Sequence, residues 1–216
     1  MNVVDLGIID FEQAYGIQSS IVDKIRKDEA EDVFIICEHK PVITLGRSAK
    51  QSNIIVDAEI LNKKGVKVIN INRGGDVTFH GPGQIVVYPL IDLKKIRKDV
   101  HFYLFLIEKF IVRFLLNFGL QGEPHIYGTG VWVNQGKIAS LGIGVRHWVT
   151  YHGFSLNVED IDGFSFINPC GMRGLKITSI EKELKKHIAI CEVKSRLSKE
   201  IICFFEEVKN GKNYSA

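Results

Sequence analysis

The stretch VWVNQGKIASLGIGVRHWVTYHGFSLNV, residues 131–158, decides the fold. Three runs in it read as strands, 131–133, 137–145 and 153–158, with turn-forming residues between them. Connections this short join antiparallel neighbours, because a parallel crossover takes about a dozen residues or more. Period two then places Lys137 on the face of Ala139 and Leu141.

Working outward, further strands are expected at 3–9, 33–37, 43–45, 66–71 and 84–91. Asp10 with Gln13 reads as the N-cap of a helix whose stripe is Phe11, Ala14, Tyr15, Val22 and Ile25. A short helix over 57–64 ends at Gly65. Residues 100–118 form an almost wholly apolar helix, wetted only by the stripe Lys109, Arg113 and Asn117. Thr178 and Glu181 suggest a capping box. Leu197, Ile201, Phe204, Phe205 and Val208 mark the core face of a last helix. Strands outnumber helices and some are joined by short turns. The expected class is α+β, a mixed and partly antiparallel sheet with packed helices.

The 216 residues suit one domain over 1–216, since a single core serves up to roughly 250 residues. Hydrophobic residues at 45% and charged residues at 25% exclude a disordered chain. No run approaches the ~18 apolar residues of a membrane helix, and the N-terminus lacks a signal pattern, so a cytoplasmic protein is expected. A net charge of +3 is too weak to argue for nucleic acid. Two basic clusters, Lys94-Lys95-Arg97-Lys98 and Lys182-Lys185-Lys186, read either as solvated faces or as a dock for an acidic partner. The cysteines Cys37, Cys170, Cys191 and Cys203 show no metal-binding spacing, and no metal is expected.

Three segments carry chemistry. Residues 73–84, RGGDVTFHGPGQ, combine four glycines with Arg73, Asp76, Thr78 and His80. Two turns around a short strand explain the glycines; a ligand-lined loop explains the polar groups as well. Lys137 is either a strand-end lysine reaching water or a buried base. In Asn168-Pro169-Cys170-Gly171 the thiol sits in a turn-like context that exposes it, whereas Cys37, Cys191 and Cys203 read as buried small hydrophobes.

Taken together and in this order, RGGDVTFHGPGQ, GKIASLGIG, YHGFSLNV and NPCG resemble the lipoyl(octanoyl) transferase family. The resemblance implies a fold similar to biotin and lipoate protein ligases. It implies octanoyl transfer from acyl carrier protein to a lysine of a lipoyl domain, in a 2-oxoacid dehydrogenase or the glycine cleavage H protein, without a cofactor. Cys170 matches the acyl-thioester nucleophile and Lys137 the residue that favours its thiolate. Arg73, Gly74, Gly75, Asp76, Val77, Thr78, Phe79 and His80 match the acyl-substrate pocket. So do Ser140, Leu141 and Gly142, and Gly153, Phe154 and Ser155. His80 reads equally as a turn histidine, and His152 has no derivable role. Two rivals stand beside this reading: a ligase that makes an acyl-adenylate with ATP and needs no Cys170, and a non-catalytic carrier-binding module.

Overall fold

The computed structural model describes residues 1–125, 128–211 and 214. Its larger sheet has seven strands: β1 (Asn2–Ile9), β2 (Val33–His39), β6 (Gln84–Leu90), β10 (Val149–Asn157), β9 (Gly136–Arg146), β8 (Gly128–Val133) and β7 (Gly122–His125), in that spatial order. Only β1 and β2 pair in parallel; the other neighbours are antiparallel. A second sheet has the order β4 (Lys67–Asn70), β3 (Val42–Leu45), β5 (Val77–His80). The α+β class and the mixed, partly antiparallel sheet follow the sequence reading.

The central strands are apolar on both faces because helices cover both. Helices α3 (Val100–Leu116) and α5 (Ile190–Lys209) share one core with Phe34, Ile36, Ile85, Val87, Phe154 and Leu156. Helix α1 (Phe11–Arg26) packs on the other face against Ile35, Cys37, Val86 and Tyr88. The alternation 34/36 against 35/37 is the two-residue period of a strand buried twice over. Helix α1 begins where Asp10 accepts the Glu12 N–H at 3.2 Å, and it buries Phe11, Ala14, Gln18, Val22 and Ile25. Helix α3 begins where Asp99 accepts the Phe102 N–H at 3.0 Å. The short α2 (Ala58–Lys63) closes a smaller core over the second sheet with Ile43, Leu45 and Phe79.

Several expectations need correction. Thr178 does not cap a helix: Ser179 accepts the Lys182 N–H at the start of α4 (Ile180–Leu184), while Thr178 donates to Glu183. Cys191 and Cys203 are exposed on α5, and only Cys37 is buried as expected; burial pushes its thiol up to about 12. The polar stripe of α3 does more than meet water, since Arg113 pairs with Glu207 and Asn117 donates to Glu200, both on α5. Strand β7 went unread because Gly-Glu-Pro-His carries no alternation. Among the described residues, no helix is long and apolar enough to cross a membrane.

Candidate active site

A break in strand register places Lys137. Val131 pairs with Ala139, but Trp132 pairs with Lys137, so Ile138 is an extra residue in β9. The bulge reverses the alternation at that point. Ile138, Ala139 and Leu141 enter the core under α3 and α5. Lys137 therefore leaves the face of Ala139 and Leu141, where strict period two puts it, and lines a cavity together with Ser140. Its side chain is 3% exposed, yet its Nζ donates to the Thr129 carbonyl at 3.0 Å and lies 4.7 Å from the centre of the Trp132 ring.

Cys170 reaches the same point from the other sheet's side. The segment before it is zipped to residues 53–55: Asn168 N–H donates to Asn53 O at 2.7 Å and Ile55 N–H to Phe166 O at 2.9 Å. The segment after it forms a bridge between Ile177 and Lys137. Between these ties the chain turns sharply, with Cys170 and Gly171 both left-handed at φ 57° and 72°. Glycine is required at 171, because a Cβ there would stand 2.6 Å from Asp76 Oδ2. The outcome is a half-buried thiol, less exposed than the turn context suggests, with Lys137 Nζ 3.2 Å from Cys170 Sγ.

The pair sits on a cavity of about 270 Å³ between the two sheets. Arg73, Gly75, Asp76, Val77, Thr78 and His80 line one side; Ser140, Leu141, Gly142, Gly153, Phe154 and Ser155 line the other. Two expected pocket residues do not line it. Phe79 turns into the small-sheet core against Phe164 and Phe166. Gly74 spends its N–H on Ile143 O at 2.9 Å, and its carbonyl accepts from Arg73 at 3.0 Å. Arg73 also donates to the carbonyl and hydroxyl of Thr44, each at 3.0 Å. Burial brings the Arg73 guanidinium down to about 10. Asp76 holds Asn53 through both carboxylate oxygens, at 3.0 and 2.9 Å, and so steadies the strap that carries Cys170.

The cavity floor holds residues that sequence reasoning missed, among them Phe11, Tyr88 and Trp132, with His39 behind them. One signal for this floor was readable: Pro89 lies inside a strand that runs through the middle of the sheet, where a missing N–H breaks a ladder. The register that pairs Phe154 with Val87 and bonds Thr150 N–H to Ile91 O puts Pro89 opposite His152. His152 accordingly turns left-handed at φ 56° and gives its N–H to Gln18 Oε1 at 2.9 Å. Its ring stacks on Tyr15, with Nε2 3.1 Å from Asn72 Oδ1. His80 Nδ1 is 2.6 Å from Gln84 Oε1, and His39 Nε2 is 2.5 Å from the Tyr88 hydroxyl. Burial drives His80 and His152 down to about 3 and His39 down to about 4, so all three are neutral imidazoles at neutral pH. Among the described residues, no group of three or more His, Cys, Asp or Glu side chains is placed to hold a metal ion.

Residues 10–202 match the family described as the lipoyl protein ligase A/B catalytic domain. The chain is 43% identical over 208 residues to the octanoyltransferase of Geotalea uraniireducens (strain Rf4), covering 96% of this chain and 94% of that one. It belongs to the octanoyltransferase family. Its fold is similar to a bipartite lipoate protein ligase from Thermoplasma acidophilum, with TM-score 0.71 at 14% identity over 95% of this chain and 83% of that one. It is also similar to a biotin protein ligase from Aquifex aeolicus, with TM-score 0.55 at 9% identity over 98% and 72%. At such identities these two likenesses speak for the fold alone. As an octanoyltransferase the protein is an acyltransferase.

Proposed function

We propose that the whole chain, 1–216, acts as one catalytic domain that moves octanoyl from acyl carrier protein to a lipoyl-domain lysine through an octanoyl-Cys170 thioester. The observation that carries this reading is the 3.2 Å approach of Lys137 Nζ to Cys170 Sγ at the wall of the cavity. Neutral Lys137 takes the thiol proton, and the thiolate attacks the carrier thioester carbonyl. The tetrahedral adduct collapses, the bond to the carrier sulfur breaks, and the Lys137 ammonium returns the proton to the departing thiol. In the second half the neutral amine of the acceptor lysine attacks the acyl-Cys170 carbonyl. Lys137 accepts the amine proton and hands it to the Cys170 sulfur as that leaves. The acyl group arrives already activated, so ATP has no part. Backbone N–H groups hold the oxyanion; those of Gly74, Gly83 and Gly171 are already bonded to Ile143, Glu38 and Asn168, and the candidates at the cavity wall are those of Cys170 and Gly75.

The chain of the substrate lies against Ser140, Leu141, Gly142, Gly153, Phe154 and Ser155, with Arg73, Gly75, Asp76, Val77, Thr78 and His80 across from them. The acceptors are lipoyl domains of 2-oxoacid dehydrogenases or the glycine cleavage H protein, and an enzyme that meets such partners works in the cytoplasm. Enzyme mixed with octanoyl-carrier and no acceptor should gain one octanoyl group by intact mass, mapped to Cys170, labile to neutral hydroxylamine and transferable to a lipoyl domain added later. A Cys170→Ala enzyme that still transfers at the wild-type rate would refute the covalent route. A requirement for ATP would turn the reading toward an adenylating ligase.

A further inference from the structure

Helix α3 carries one carboxylate, Glu108, and it reaches the backbone beside the site. Glu108 is half-buried, and its Oε1 accepts the Gly130 N–H at 2.9 Å. The other end of that same peptide group, the Thr129 carbonyl, accepts from Lys137 Nζ at 3.0 Å. No peptide bond among the described residues is cis, so the C=O and N–H of this unit point in opposite directions in one plane. Glu108 lies on one side of the plane's ends and Lys137 on the other. The contact is close enough to exclude a side chain at 130, where a Cβ would stand 2.6 Å from Lys137 Cε.

A carboxylate bonded to a peptide N–H draws the proton toward itself and makes the carbonyl oxygen a stronger acceptor, because bonds in a chain polarise one another. A stronger acceptor at Thr129 O favours the ammonium form of Lys137 and fixes where its Nζ sits. We infer that Glu108 is a positioning residue for octanoyl transfer, acting on Lys137 through the Thr129–Gly130 peptide. The inference rests on Lys137 serving as the base for Cys170. Lys137 is the charged group whose field Glu108 feels, while burial raises the Glu108 carboxyl above its ordinary range. The other charges on α3 and β7 have their own surroundings. Lys109 lies over the Phe105 ring, Arg113 pairs with Glu207 of α5, Glu123 of β7 is exposed, and the His125 ring packs against Trp132, with ring centres 5.1 Å apart.

The test is a double-mutant cycle of Glu108→Gln and Lys137→Met. Two rates are read: single-turnover acylation of Cys170 by octanoyl-carrier, and iodoacetamide alkylation of Cys170 at neutral pH, which stays measurable in every variant. Glutamine keeps an oxygen for the Gly130 N–H but removes the charge. E108Q should melt close to wild type and acylate roughly tenfold more slowly, about the difference between a charged and a neutral hydrogen-bond acceptor. Its alkylation should slow as well, and that change should vanish in the K137M background. An E108Q enzyme within about twofold of wild type overturns the inference, as does an effect that persists in full without Lys137, or an E108Q chain that fails to fold. K137M acylating like wild type removes the base reading beneath it; K137M inactive with E108Q normal removes the Glu108 inference alone.

Discussion

Replacing Gly130 by alanine tests the placement of Lys137 most directly. The new Cβ would stand 2.6 Å from Ala139 O and 2.6 Å from Lys137 Cε, in a backbone at φ +146° that side-chain-bearing residues avoid. The carbonyl belongs to the β8–β9 ladder, where Gly130 pairs with Ser140, and cannot retreat without opening it. The strained φ costs about 1–3 kcal/mol and the overpacking a similar amount, so a loss of roughly 2–6 kcal/mol in unfolding free energy is expected. The lysine stem is the softer neighbour and yields first. Its Nζ now stands 3.2 Å from Cys170 Sγ, and a shift of about 1 Å takes it out of hydrogen-bond range, an error that can lower a rate ~100-fold. Urea unfolding gives the first quantity and intact-mass acylation the second. Gly16→Ala is the matched control: nothing lies within 4 Å of its added Cβ, and alanine in mid-helix should stabilise by up to ~1 kcal/mol with transfer unchanged. Wild-type stability together with wild-type acylation in Gly130→Ala would refute the geometry argued for the dyad.

Acid should weaken the protein through three buried histidines. His80 and His152 stay neutral in the fold down to about 3 and His39 down to about 4, while in the unfolded chain each protonates near ~6.5. Their contribution is therefore present above about pH 6.5 and lost as the pH falls toward 3–4, with a limiting slope of ~1.4 kcal/mol per pH unit for each. Urea midpoints measured between pH 7.5 and 4.5 should fall, and His80→Asn should flatten the fall; a level wild-type profile refutes this. Carrier docking should depend more on Lys185 and Lys186, which are exposed, than on the 94–98 cluster. In that cluster Lys94, Lys95 and Arg97 pair with Asp92, Asp32 and Asp99. Charge reversal at Lys185 and Lys186 should slow carrier association at low salt and matter less once screening falls to ~8–10 Å at 0.1–0.15 M. An association rate indifferent to salt would dismiss electrostatic steering.

Periodicity made the sheet legible, since runs such as Val33-Phe34-Ile35-Ile36-Cys37 can hardly be anything but a strand buried on both faces. It misled at Lys137 for a physical reason. A bulge is a property of two strands, and the extra residue at Ile138 shows only against β8. The same holds for Phe79, whose face is decided by the small second core. Cys191 and Cys203 were misjudged by residue type alone, on a helix whose apolar stripe is already complete without them. The contacts that build the site cross long stretches of chain: Lys137 to Cys170, Glu108 to Gly130, Gln18 to His152. No local pattern reports such meetings.

The cavity between the sheets would give the proposed acyl-enzyme a mechanical character of its own. The large sheet has its core under α3 and α5, the small sheet has another, and the space between them is lined from both. An eight-carbon chain tethered at Cys170 would work there as a removable keystone, filling with hydrocarbon the gap that the polypeptide leaves. Loading would then tighten the enzyme and unloading loosen it. A loaded molecule would then wait for its acceptor in a more heat-resistant form than the free enzyme, because the chain, tethered in both states, leaves water only in the native one.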